Sequence, residues 1–94
     1  MNFEIRYHEK VVSEDIPKLS KEWGEAIREA IEKKLASNPE VFGKPLRHSL
    51  KGYRKLRVGD WRVVFRIETN VVKVFVIQHR SVVYKTLGKR LNAS

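Results

Sequence analysis

The fold this sequence predicts is α+β: two N-terminal helices packed on one face of a small, mainly antiparallel sheet. Three observations predict it. Hydrophobic spacing runs from alternating to helical and back, giving the order strand, helix, helix and then three strands. The stretch Lys51 to Arg66, KGYRKLRVGDWRVVFR, reads as an antiparallel hairpin about Gly59-Asp60, a pair suited to the positive backbone angles of a two-residue turn. The 94 residues allow one domain, 1–94, with a modest core and no room for a second.

In chain order, Phe3-Glu4-Ile5-Arg6-Tyr7 alternates apolar and charged residues, as a half-buried strand does. From Val11 the spacing turns helical through Val12, Ile16 and Leu19, with Pro17 bending the helix or opening a new turn. Ser20 is a cap for the next helix, Glu22 lies in its first turn, and Trp23, Ile27, Ala30, Ile31 and Leu35 form its apolar stripe as far as about Ala36. Trp23, on that stripe, reads as a core anchor. On the outer face Glu29 and Lys33 stand at the favourable spacing for attraction. Ser37-Asn38-Pro39 stops the helix, and the segment to Pro45 has the composition of a surface loop.

In the hairpin, Tyr53, Lys55 and Arg57 share one face of the first strand, opposite Arg54, Leu56 and Val58. On the return strand Val63, Phe65 and Ile67 form an apolar row opposite Arg62, Val64 and Arg66. After a turn at Glu68-Thr69-Asn70, VVKVFVIQH (Val71 to His79) is apolar on both faces and is expected inside the sheet. Val82-Val83-Tyr84 and the tail through Lys85, Lys89 and Arg90 suggest a final short helix or helical turn, interrupted at Gly88, and Asn92 to Ser94 are expected to fray. The helices are expected to cover one sheet face and leave the other open and basic.

The net charge of +9 is unevenly spread. Residues 1–43 hold seven Lys or Arg against nine Asp or Glu, whereas residues 44–94 hold thirteen against only Asp60 and Glu68. A scaffold half and a half that faces a polyanion would divide this way, which points first to nucleic acid and second to an acidic protein partner. Lys44, Arg47, His48 and Lys51 precede the hairpin and suit the rim of a groove that binds phosphates. Without cysteine there is neither a disulfide framework nor a thiolate metal site. No apolar run approaches a membrane span and the N-terminus is no signal peptide, so a cytoplasmic protein is expected.

The basic half contains no Gly-rich phosphate loop, no Cys nucleophile and no carboxylate pair to hold catalytic cations. Cofactor-free, metal-independent chemistry on a phosphodiester remains. In RNA the 2′-hydroxyl is the nucleophile, and the protein must supply a base, an acid and cationic stabilisation. Arg57, Arg62 and Arg80 fit the stabilising role because guanidinium groups hold phosphate oxygens in a fork. Lys55 or Tyr84 fits the base, with positive neighbours favouring loss of the proton. His79 has the natural pKa for acid or base work, but a strand continuing through Arg80 would send the two side chains to opposite faces. His8 and His48 lie outside this cluster.

The order of motifs resembles the RelE/ParE toxin superfamily of bacterial and archaeal toxin–antitoxin systems. The likeness runs through Asp15-Ile16-Pro17-Lys18-Leu19, Gly43-Lys44-Pro45-Leu46, Leu50 to Arg62, and His79-Arg80 with Val83-Tyr84. Resemblance to RelE-like members implies a RelE-like fold and a metal-independent endoribonuclease that enters the ribosomal A site and cuts messenger RNA. It gives Arg62, Arg80 and Tyr84 the family's hairpin arginine, last-strand arginine and terminal tyrosine, and Lys55 one of its two lysines. Tyr53 occupies the other lysine position, where Arg57 on the same face is a substitute, and Gln78 stands where many relatives have glycine. The implied catalytic set is Lys55, Arg57, Arg62, Arg80 and Tyr84, with Lys44, Arg47, Lys51, Tyr53, Arg54 and Arg66 contacting RNA. Implied partners are the ribosome, its messenger RNA and an acidic antitoxin. ParE-like members share the fold and poison DNA gyrase instead, and a remnant that only binds antitoxin is the third reading.

Overall fold

The computed structural model describes residues 2–47 and 50–92. Strand β1, Glu4–Tyr7, leads into two helical turns, Val11–Asp15 and Ile16–Lys18. Pro17 opens the second turn without kinking a longer helix. Helix α1, Lys21–Ala30, starts where the Ser20 side chain accepts from the Trp23 N–H at 3.2 Å. A wider turn, Ile31–Leu35, ends it, with the Ala36 N–H reaching back five residues to the Ile31 carbonyl. On its solvent face Lys33 bonds Glu29 at 2.6 Å, which holds the Glu29 carboxyl below its ordinary pKa and the Lys33 ammonium above its own.

The loop expected between this helix and the hairpin contains two short elements, α2 at Pro39–Phe42 and β2 at Lys44–Pro45. Strands β3 (Tyr53–Val58), β4 (Trp61–Glu68) and β5 (Val71–His79) follow. Val58 pairs with Trp61 across Gly59-Asp60, and only Gly59 of the two takes a positive φ, +60°. The sheet runs β1-β5-β4-β3-β2, with β1 parallel to β5 and every other pairing antiparallel. β5 is thus interior, as its apolar sequence requires.

The main core lies between the sheet and the N-terminal helical elements. Val11, Ile27, Ile31 and Leu35 bury against Leu56, Val63, Phe65, Val72, Val74 and Ile77. The expectation that the other face stays open is corrected here. Val83–Asn92 forms a full helix, α3, continuous through Gly88, and it buries Val83 and Leu87 on Val64 and Val76. A β-bulge makes this second core possible: Val64 faces Val76 and Phe65 faces Val74, leaving Phe75 as the extra residue. The bulge shifts the alternation, so Val72, Val74 and Ile77 face one side while Phe75 and Val76 face the other. Ala93 and Ser94 lie outside the described residues.

One buried polar network fixes α3. Arg90 grips Asp15 with two bonds of 2.7 Å and donates to the Phe75 carbonyl, at the bulge, at 2.8 Å. Asp15 also accepts from the Ile77 N–H at 2.8 Å, beyond the point where β1 stops pairing with β5, and from the Gln78 amide at 2.9 Å. Gln78 in turn accepts from the Thr86 hydroxyl at 2.6 Å. The first helical turns, β5 and α3 are joined through side chains that are themselves satisfied.

Candidate active site on the hairpin face

Cross-strand register brings the predicted cations together. Arg57 lies opposite Arg62, and in the next row but one Lys44 lies opposite Lys55, so the β2-β3-β4 surface that faces α3 carries two like-charged pairs. Directly opposed like charges cost stability in a sheet, so local strand energetics do not explain these pairs. α3 adds Tyr84, 40 % exposed, with the Lys55 ammonium 5.9 Å from its ring centroid.

Arg62 is the exception to an open site, being only 8 % exposed. Its Nη1 donates to the carbonyls of Gly59 and Trp61, both at 2.9 Å, which pins the guanidinium beneath the β3–β4 turn. No described buried side-chain nitrogen or oxygen lacks a partner, so the remaining Arg62 nitrogens, free of such bonds, reach the solvent boundary. The result is a guanidinium fixed on one edge and largely buried, with little of the other edge at the surface. Arg80 joins the same turn from β5: its N–H donates to the Asp60 carbonyl at 2.8 Å, and its Nε lies 3.6 Å from the Asp60 carboxylate. That exposed ion pair is weak and leaves Arg80 available.

The remaining predicted residues divide. Tyr53 and Arg66 share the row beyond Lys55, with the Arg66 guanidinium 5.8 Å from the Tyr53 ring, but Tyr53 also packs edge-on against Phe75 and Arg66 sits 3.7 Å from Glu68. Arg47 and Lys51 are exposed in the connection before β3, and His48 lies outside the described residues. Arg54 is not brought to the cluster: it shares the Leu56 face and donates to the Gly43 carbonyl at 2.9 Å. His79 lies beside Trp61 on the α1 side of the sheet, its ring bonded to the Ser81 hydroxyl at 2.8 Å. Among the described residues no three His, Asp or Glu side chains cluster as a metal site requires.

A family model described as the ParE toxin of type II toxin–antitoxin systems, parDE, matches residues 5–84. The chain is a toxin of the RelE/ParE superfamily. The toxin is 36 % identical over 73 residues to Toxin RelE of Mycobacterium tuberculosis, covering 76 % of this chain and 75 % of that one. Its fold matches the toxin–antitoxin complex RelBE2 of the same organism with a TM-score of 0.76 and 26 % identity, over 85 % of this chain and all of the other. It also matches a mutant E. coli toxin RelE in the free state, with a TM-score of 0.74 and 20 % identity over 96 % and 98 % of the two chains. No helix among the toxin's described residues is long and apolar enough to cross a membrane.

Sequence reasoning missed the support of this site. Asp15 falls four residues after buried Val11, and Arg90 falls on the stripe of Val83 and Leu87. A charged residue at an apolar-period position was the available signal for the buried pair.

Proposed function

We propose that this toxin is a ribosome-dependent, metal-independent endoribonuclease that acts in the cytoplasm on messenger RNA in the ribosomal A site. The observation that carries the reading is the double row of opposed cations, Arg57 with Arg62 and Lys44 with Lys55, beneath Tyr84. A phosphodiester laid across these rows replaces their repulsion with charge-assisted hydrogen bonds. Lys55 or Tyr84 takes the proton of the 2′-hydroxyl, whose oxygen attacks phosphorus. Arg57 and the free edge of Arg62 hold the non-bridging oxygens. The P–O5′ bond breaks, Arg80 stabilises the negative charge on the departing oxygen, which takes its proton from water, and the products are a 2′,3′-cyclic phosphate and a 5′-hydroxyl end. Lys44, Arg47, Lys51, Tyr53 and Arg66 guide the strand on either side. An antitoxin partner is supported by the toxin–antitoxin complex RelBE2, and an acidic segment of such a partner laid over these cations would silence them.

The test is translation of a defined messenger in a purified system, with new RNA ends mapped by primer extension. Cuts that require the ribosome and disappear in Arg57→Ala and Arg80→Ala, both exposed positions, are expected. Tyr84→Phe keeps the ring over Lys55 and removes the hydroxyl, so it separates proton transfer from packing. Persistent ribosome-dependent cutting in folded Arg57→Ala and Arg80→Ala variants overturns the assignment. The ParE family match favours one second reading, DNA gyrase inhibition, which intact RNA together with loss of gyrase supercoiling would establish.

A further inference from the structure

We propose that Trp23 and Trp61, with Arg80 beside them, form a shelf on which one unpaired base of single-stranded RNA stacks. The shelf lies at the β3–β4 turn on the α1 side of the sheet, outside the Lys55–Tyr84 cluster. It rests on RNA being the substrate, as proposed above, and adds a contact to the base of the nucleotide on the leaving-oxygen side of the reacting phosphate, where Arg80 stands.

Trp23 projects from the first turn of α1 over the turn, and a Cβ added to Gly59 would stand 2.5 Å from its ring. The side chain nevertheless stays 39 % exposed, whereas Ile27, Ile31 and Leu35 on the same stripe are buried. This corrects its reading as a core anchor: one part of the indole touches backbone and the rest faces water. Trp61 continues the aromatic surface, its ring centroid 6.5 Å from that of Trp23 and 5.8 Å from that of His79. His79 meets Trp61 edge-on at 85° and keeps its ring bonded to Ser81, so Trp61 is held in orientation.

The charge beside the rings selects the ligand. Arg80 follows His79, is docked on the turn that Trp23 covers, and keeps its side chain 64 % exposed. Lys21 is exposed two residues before Trp23. The nearby carboxylates are Asp60, already facing Arg80, and Glu22 on the first turn of α1. Exposed aromatic rings beside Arg80, whose ion pair with Asp60 is exposed and weak, suit a base and its phosphate, since every base has a stacking face and the cation holds the backbone.

Trp23 and Trp61 are the two tryptophans of the chain, so intrinsic fluorescence reports on the shelf directly. The full-length toxin is titrated with a 2′-O-methyl hexaribonucleotide, which 2′-hydroxyl attack cannot cut, and with an abasic hexamer carrying the same phosphates. Expected are quenching and tighter binding with the base-bearing oligomer alone. Trp23→Leu, which retains apolar cover over Gly59, weakens that binding about tenfold, and Trp23→Phe restores much of it at an unchanged melting temperature. Equal binding of the two oligomers, or full affinity in a folded Trp23→Leu variant, overturns the shelf. Quenching by an acidic peptide and not by RNA also overturns it, and marks a protein surface. Ribosome-dependent cutting measured in parallel separates the two readings: cutting without quenching sinks the shelf alone, and quenching without cutting sinks the nuclease alone.

Discussion

Arg90→Met tests the buried tie between α3 and the rest of the domain. Methionine keeps an unbranched apolar stem like that of arginine but lacks the guanidinium, and so removes both bonds to Asp15 and the bond to the Phe75 carbonyl. Asp15, whose side chain is fully buried, would keep the Ile77 N–H and the Gln78 amide and lose its countercharge. Breaking a buried ion pair from one side costs about 3–5 kcal/mol, because the remaining charge is left without compensation. A domain of this size is stable by roughly 5–15 kcal/mol, so the loss removes a large fraction, and the melting temperature falls by roughly 12–40 °C. Thermal and urea unfolding followed by circular dichroism give the number. The double variant Asp15→Asn/Arg90→Met carries neither charge and is expected to be less destabilised than the two single changes added together. An Arg90→Met protein within about 1 kcal/mol of the wild type, on the scale of a net exposed ion pair, would refute the reasoning.

Two glycine substitutions are predicted to move stability in opposite directions. Gly43→Ala places a Cβ 2.2 Å from Cζ of the fully buried Phe65 and 2.9 Å from the Pro39 carbonyl, so neither neighbour yields cheaply, and a loss of about 1–3 kcal/mol is expected from the urea midpoint. Gly88→Ala meets open space inside α3, where alanine restricts the unfolded chain and favours the helix, and a gain of about 0.5–1 kcal/mol is expected.

Much of the layout of the candidate site was legible because it follows from alternation. Once Tyr53 to Ile67 is a hairpin closed at Gly59-Asp60, the pleat puts Tyr53, Lys55 and Arg57 on the side of Arg62, Val64 and Arg66. The same rule sends Arg54 to the other face, where it holds the Gly43 carbonyl. Local patterning likewise placed the Ser20 cap, the Ile27, Ile31 and Leu35 stripe and the interior position of β5.

What alternation does not carry is contact between residues far apart in sequence. Phe75 falls out of register only because β4 and β5 meet with a bulge, and that extra residue allows a second core under α3. Asp15 and Arg90 are 75 positions apart, so neither neighbourhood announces the other. Arg62 could be assigned a face from sequence, but its burial and its grip on the Gly59 and Trp61 carbonyls come from the closed turn and the packing above it. Trp23 could be assigned a stripe, yet its half-exposed position depends on where α1 begins against that turn. Which residues share a face could be read locally, because backbone periodicity is local. Tertiary structure decided which of those faces stay in water, because burial depends on what packs against them.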